Sequence, residues 1–550
     1  MKKASILLLQ GCLIISACKK KDHNQTNIKP YIPNDQHISV TTQHNNNLRT
    51  GWNNQERKLT IANVNPRQFG KLFTLDVDDQ VFAQPLIAGN IMLDNIAHNL
   101  AYIATVNNSI YSFDADNGNL IWHKNFTSSG MRPPRNTDIN GCGGVYQDFS
   151  GNMGIVGTPV IDTVSQTLYF VARSTNGTNF IQHLHAVNIL TGAERNNSPV
   201  QIDASYTGSG DGSINNSISF NGHTQNQRQG LTLVNGVVYI SWASHCDIIP
   251  YHGWIMGYNA QNLQQQIVYN DTPDGSNGGI WECGMGLAAD NAGNLYAAIG
   301  NGTVGVGNDP SNIRNRGQSA VKLTPSGSSL IITSFFTPAD YQSQNSQDLD
   351  FGSIGSLLIP NSNYYFTGSK DATLYLLNKD NMGGFNASSN LIQQSLSLNN
   401  VDANEHCQAA YYKGPVNEFV YVWSENDHLK AFPFNRSTNQ FNVSGTIVSP
   451  VSGPTGQSGA VLSVSSDNSN SGTGVIWAVY AAAGDAEHNV TPGILRAFDA
   501  DDITHEIWNS NINVQDDGNY NYAKFASPTI ANGHVYLSTF SGKVIVYGIK

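Results

Sequence analysis

The chain has 550 residues and a formal charge of −11, from 40 acidic and 29 basic side chains. An acidic surface without a basic stripe repels phosphate backbones, so nucleic acid is excluded as the expected partner. Charged residues are 13% of the chain and glycine fills 52 positions, the makeup of a turn-rich sheet scaffold. Beyond the first residues no run approaches the roughly 18 apolar residues of a membrane-spanning helix.

In chain order the first element is a leader. Met1, Lys2 and Lys3 are followed by apolar residues 6–9 and 13–15, and Ser16 and Ala17 bring small side chains up to Cys18. This resembles the lipobox of bacterial lipoproteins; an ordinary secretory signal peptide is the alternative. The resemblance implies a signal peptide over 1–17, lipidation of Cys18, and a polar tether over 18–37 with no periodic apolar face. The address is then the bacterial cell envelope, with a lipid anchor in the membrane. Short polar spacers of this kind resemble those of outer-membrane lipoproteins; whether the domain faces the periplasm or the surface stays open.

A strand pattern then repeats. Residues 109–122 read SIYSFDADNGNLIW: a period-two strand, an Asp-Asn-Gly hairpin turn and an apolar return strand. Related copies centre on Val187, Tyr258, Leu323, Leu377, Phe432, Phe498 and Tyr547, at intervals of 49 to 74 residues. A four-stranded propeller blade needs roughly 40 to 50 residues, and insertions stretch it. The expected fold is therefore all-β, an eight-bladed β-propeller over 38–550, with seven blades if one divergent copy is an insertion. The last copy lacks an outer strand, and residues 70–77 form a strand with no blade of their own. Pairing the two closes the ring and covers both edges.

Four cysteines follow the leader: Cys142, Cys246, Cys283 and Cys407. All are disulfide candidates in an exported chain, and Cys246 with Cys283 would staple adjacent blades. Polar side chains gather in loops. His245, Asp247, Tyr251, His252 and Trp254 flank one strand-to-strand turn, and Glu282 precedes the next inner strand. Histidine nitrogens and carboxylates suit a metal, proton transfer or a ligand surface, and equally suit ordinary loop hydrogen bonding. Asp348 and Asp350 share a strand face and offer oxygens to calcium; Lys370 would instead neutralise them. Glu405 and His406 stand before another inner strand, and Asp485, Glu487 and His488 form a similar loop group.

The segments FGKLF (69–73) and VFAQPL (81–86), the turns at 116–118 and 190–192, and the Asn-Gly-x-Val-Tyr pairs resemble the pyrroloquinoline-quinone-like (quinoprotein-like) propeller superfamily. The resemblance runs from about Arg49 to the end. It implies a propeller, and in its dehydrogenase members a central Ca²⁺ and a quinone between flat surfaces. The adjacent cysteine pair of those enzymes is absent here, as is a C-x-x-C-H haem attachment sequence. Trp122 and Trp508 are expected to dock blades. The expected function is a membrane-anchored recognition or scaffold protein whose propeller loops bind an envelope glycan or protein. The alternative is an oxidoreductase dependent on Ca²⁺ and pyrroloquinoline quinone (PQQ), acting on an alcohol or sugar.

Overall fold

The computed structural model describes residues 34–139, 149–398 and 405–550. Cys18, the tether to residue 33 and Cys142 lie outside them. Eight four-stranded antiparallel units follow one another around the ring, with strands in sequence order from inside to outside except for the outer strand of the last, and in four of the sheets a two-residue fifth strand is added. Blade 1 is Leu86–Leu93, Ile96–Ala104, Ser109–Asp114 and Leu120–Asn125. The inner strands of blades 2 to 8 are Val160–Asp162, Thr232–Val234, Ala288–Ala289, Leu357–Leu358, Ala410–Lys413, Val461–Ser465 and Thr529–Ala531.

The expected closure is present. Phe69–Asp76 is the outer strand of blade 8 and pairs antiparallel with Lys543–Ile549, from Phe69 opposite Ile549 to Asp76 opposite Lys543. The first and last parts of the fold are thus joined by one hydrogen-bonded ladder.

The core lies between blades rather than within them. Period-two alternation sends successive side chains to opposite faces, and here both faces are covered. In blade 7, Val475, Trp477 and Val479 pack against blade 8, whereas Ile476, Ala478 and Tyr480 pack against blade 6. Eight such clusters serve the eight blade contacts. The two tryptophans dock as expected: Trp122 Nε1 donates to Ile189 O of the next blade at 2.8 Å, and buried Trp508 meets Phe69 edge-on with centroids 5.0 Å apart.

Sequence reasoning assigned no role to residues 38–56, which form a belt around the axis. The belt touches the inner strand of each blade, or the residue just before it, in turn. Val40 pairs with Ile87 of blade 1, and Ile161 N of blade 2 donates to Thr41 O. Thr42 Oγ1 donates to Leu231 O of blade 3. Backbone N–H groups of Ala289, Leu358, Tyr411 and Val464, in blades 4 to 7, donate to Asn47, Leu48, Thr50 and Gly51. Asn53 Nδ2 donates to Ile530 O of blade 8 at 2.7 Å.

Arg49 is the centre of this belt and is fully buried. Its guanidinium donates to the carbonyls of Gln43 (2.6 Å), Leu231 (3.3 Å), Gly286 (3.2 Å) and Leu287 (3.2 Å), and to the hydroxyls of Thr42 (2.9 Å) and Thr232 (2.5 Å). Gly286 makes this approach possible, because a Cβ there would collide with Arg49 Nη2 and Gly230 O.

Candidate ligand site on the propeller axis

Each blade presents two segments at the end where the chain enters its inner strand: the entry loop, and the turn joining its second and third strands. These segments from blades 3 to 8 converge on a funnel of about 240 Å³. Its floor is a layer of buried amides. Gln408 Nε2 donates to Cys283 O (2.6 Å) and Phe525 O (2.9 Å), Ser527 Oγ donates to Gln408 Oε1 (2.6 Å), and Gln43 of the belt reaches Gln408 from below (3.4 Å). The belt therefore closes the axis beneath the funnel.

One wall is aromatic and cationic. The Arg228 guanidinium is 5.2 Å from the Trp281 centroid and 4.7 Å from that of Phe525, within cation–π range of both. Lys524 Nζ is 5.6 Å from the Phe525 centroid on the same wall.

The facing wall is an ion-pair group. Lys370 Nζ is 2.7 Å from Asp350 Oδ2 and 3.2 Å from Asp348 Oδ2. Burial alone would lower the Lys370 pKa, but the two carboxylates more than offset it and hold the ammonium charged. Asn301 links the two acids: its N–H donates to Asp350 Oδ1 and its Nδ2 to Asp348 Oδ1, both at 2.7 Å. Gly300 lets the walls meet, since a Cβ there would strike Asp350 Oδ1 and the Trp281 ring. Asn301 Oδ1 and Trp281 Nε1 are buried and have no hydrogen-bond partner among the described residues.

Further round, His406 lines the funnel and its Nδ1 is 3.2 Å from Glu425 Oε1. Burial, then repulsion from Glu405, pushes Glu425 up to about 9, and burial pushes Glu405 up to about 7. Glu487 and His488 also line it.

The sequence candidates are only partly brought together. Asp247, Asp348, Asp350 and His406 face the funnel; buried Tyr251 supports it by donating its hydroxyl to Asp247 Oδ1 at 2.6 Å. The others sit elsewhere. His252 is held by Thr272 Oγ1 and Asp211 O, both at 2.9 Å. Trp254 is blade core, and His245 is fully buried. Glu282 is buried below, accepting from Ala298 N (2.8 Å) and Ser356 Oγ (2.9 Å), and burial pushes it up to about 8. His245, His252 and Glu282, which would have to meet to form one site, are instead placed separately: the histidines flank the turn between the second and third strands of blade 3, and Glu282 is buried before the inner strand of blade 4. Among the described residues no three or more His, Cys, Asp or Glu side chains stand together as a metal cluster.

The cysteine expectation also needs correcting. Cys246 lines the funnel and is disulfide-bonded, but its partner is not Cys283. Cys283 and Cys407 are buried free thiols. Cys283 Sγ instead donates to Ser353 O at 2.5 Å, and burial raises both thiols away from the reactive thiolate. Sequence reasoning also passed over Arg228, Phe525 and Asn301. Their common signal is position: Arg228 and Phe525 stand four residues before the inner strands of blades 3 and 8, and Asn301 two residues past a second strand.

The sequence matches no family model and no curated protein. Solved structures are similar in fold. The quinohemoprotein alcohol dehydrogenase ADHIIG of Pseudomonas putida HK5 aligns with TM-score 0.57 and 11% identity, over 93% of this chain and 80% of that one. The quinohemoprotein alcohol dehydrogenase of Comamonas testosteroni gives TM-score 0.55 and 12% identity over the same shares. A europium-containing methanol dehydrogenase gives TM-score 0.58 and 8% identity, over 93% of this chain and 98% of that one. At these identities the likeness is one of fold alone, an eight-bladed β-propeller.

Proposed function

We propose that the protein is an oxidoreductase of quinoprotein type, lipid-anchored in the bacterial cell envelope through Cys18, whose axial funnel takes a flat aromatic polyanion such as PQQ. The observation that carries this reading is the convergence of Trp281, Phe525, Arg228, Lys524 and Lys370 on one blind funnel. Flat rings suit a fused aromatic system, and the three cations suit its carboxylates and quinone oxygens. When bound, such a quinone supplies a two-electron acceptor for an alcohol or sugar.

The chain's own residues then bind and orient. Trp281 offers its face, Lys370 a fixed positive charge, and Asp350 a carboxylate held by Lys370 and by the N–H of Asn301. Protonated Glu425 lies beside His406 at the wall and is a proton donor near neutral pH. For Ca²⁺, which takes six to eight oxygens, Asp350 and Asn301 Oδ1 are two donors. The remainder would come from the quinone and water.

Titrating the purified protein with PQQ, with and without Ca²⁺, tests the reading. Saturable one-to-one quenching of tryptophan fluorescence is expected, lost in Trp281→Ala, followed by reduction of the bound quinone by a member of an alcohol, aldose and aldehyde panel. Absence of saturable binding would overturn the proposal and return the loops to a role in glycan or protein recognition.

A further inference from the structure

We infer that a groove on the outer wall between blades 3 and 4 is a second binding site, for a neutral oligosaccharide. Among the described residues it shares no lining side chain with the axial funnel, so it stands apart from the quinone reading.

An insertion before blade 3 raises one side of the groove. Ser205–Thr207 pairs antiparallel with Ser217–Ser219. The hairpin is fastened at its base: Ile218 is buried in the blade core, and Phe220 meets Trp242 edge-on with centroids 5.1 Å apart. The second side is the outer strand of blade 3, Gln265–Asn270. There Gln266 is the extra residue of a β-bulge and is exposed, a device that re-aims a side chain. The third side is the turn of blade 4 at Ser328 and Ser329. Arg314 staples these parts. Its Nε is 2.6 Å from Asp274 Oδ2, its Nη2 donates to Thr207 O at 2.6 Å, and its guanidinium lies 5.9 Å from the Tyr206 centroid. The groove holds about 510 Å³, within the range of about 300–1,000 Å³ that ligand clefts occupy. It runs on along the strand into a further 440 Å³ that shares Gln265, Gln266 and Ser328, a shape that suits a chain of rings rather than one.

The lining selects the ligand class. Tyr206 is half-buried against the blade core and offers a fixed ring with a polar tip. Around it stand the hydroxyls of Ser205, Thr207, Ser328 and Ser329 and the amide of Gln266, groups that are neutral and both donate and accept. That is the complement of a sugar, whose ring has an apolar face and a rim of hydroxyls. An acidic polymer is disfavoured: the Arg314 charge is matched by Asp274, and the chain as a whole carries −11. An extended peptide is disfavoured too, because the strand edge it would pair with is taken. Val268 N donates to Ser328 O, and Ser329 Oγ donates to Val268 O, both at 3.1 Å.

Isothermal titration of the full protein with maltotetraose, cellotetraose, mannotetraose and chitotetraose, and with tetragalacturonate as the acidic control, tests the site. At least one neutral tetrasaccharide should bind one to one, and tetragalacturonate should not. Tyr206→Ala should weaken that binding about tenfold and Gln266→Ala about fivefold, whereas Tyr206→Phe keeps the ring and most of the affinity. Thermal unfolding confirms that each variant is folded, and exposed Gln266 decides the matter should Tyr206→Ala not fold. The assignment falls if none of the neutral sugars binds, if tetragalacturonate binds as tightly as they do, or if the alanine variants bind like the wild type. None of these results touches the quinone reading, which has its own titration.

Discussion

Lys370 Nζ stands 2.7 Å from Asp350 Oδ2, and this pair ties the turn between the second and third strands of blade 5 to the entry loop of the same blade. Both side chains are largely shielded, at 14% and 12% exposure. Removing one partner of such a pair leaves a charge with poor solvation, an effect larger than any surface ion pair gives. Lys370→Met should therefore lower stability by about 3 kcal/mol and weaken binding of an anionic quinone. Chemical denaturation and a fluorescence titration measure the two effects separately. An unchanged denaturation midpoint would mean that the pair is already solvated.

Arg49 ties the belt to blades 3 and 4. Arg49→Met would leave the carbonyls of Gln43 and Gly286 without this donor, and would take one of two donors from those of Leu231 and Leu287, in a dry setting. Each buried group left unpaired costs about 1–3 kcal/mol, so a loss of several kcal/mol is expected. Proteolysis should then begin within residues 36–56 of the variant, as read by mass spectrometry of the first cuts. Cutting that starts elsewhere would show that the belt is held mainly by its backbone bonds.

The closing ladder is equally open to test. Leu75 pairs with Val544, and a proline there removes a donor and strains the strand. Leu75→Pro should free the edge of blade 8 and drive association through it. Light scattering after size exclusion should show oligomers that grow with concentration, where the wild type does not change.

Three buried acids set a pH dependence. Burial pushes Glu405 up to about 7 and Glu282 up to about 8, and burial with Glu405 pushes Glu425 up to about 9. A raised carboxyl pKa means that the folded state keeps protons the unfolded chain releases near its ordinary value of 4.5. Their stabilising contribution is full below that value and declines as pH rises through the folded values. Buried His44 and His534, lowered to about 4 chiefly by burial, act in the other direction, destabilising the fold as pH falls below 6.5. Between pH 6.5 and 9 the acids should dominate, and Tm should fall. Glu282→Gln should flatten part of that slope; a Tm that rises across the interval would contradict the assignment.

The blades were legible because each pairs a turn with alternating apolar residues, and the closure followed from one spare strand at Phe69–Asp76 and one missing strand after Lys543–Ile549. The belt was not legible. Residues 38–56 carry no period, and their order comes from bonds to eight separate strands. The site fell between these cases. Asp348, Asp350 and Lys370 are near one another in sequence, so their meeting could be expected. Arg228, Trp281 and Phe525 are brought together only by ring closure across blades 3, 4 and 8. His252 and Trp254 drew attention as chemical residue types in a loop, yet hydrogen bonds to Asp211 and Thr272, and packing between blades, account for them.

The floor made by Gln43 and Gln408 turns the propeller from a pipe into a cup. At the far end of the axis Asn34 bonds Asp116 and Asn532 in turns of blades 1 and 8, opposite the open rim. If the funnel holds a quinone, the substrate that reduces it and the acceptor that reoxidises it would share this rim, and steady-state rates plotted against both should then give the parallel lines of a ping-pong sequence.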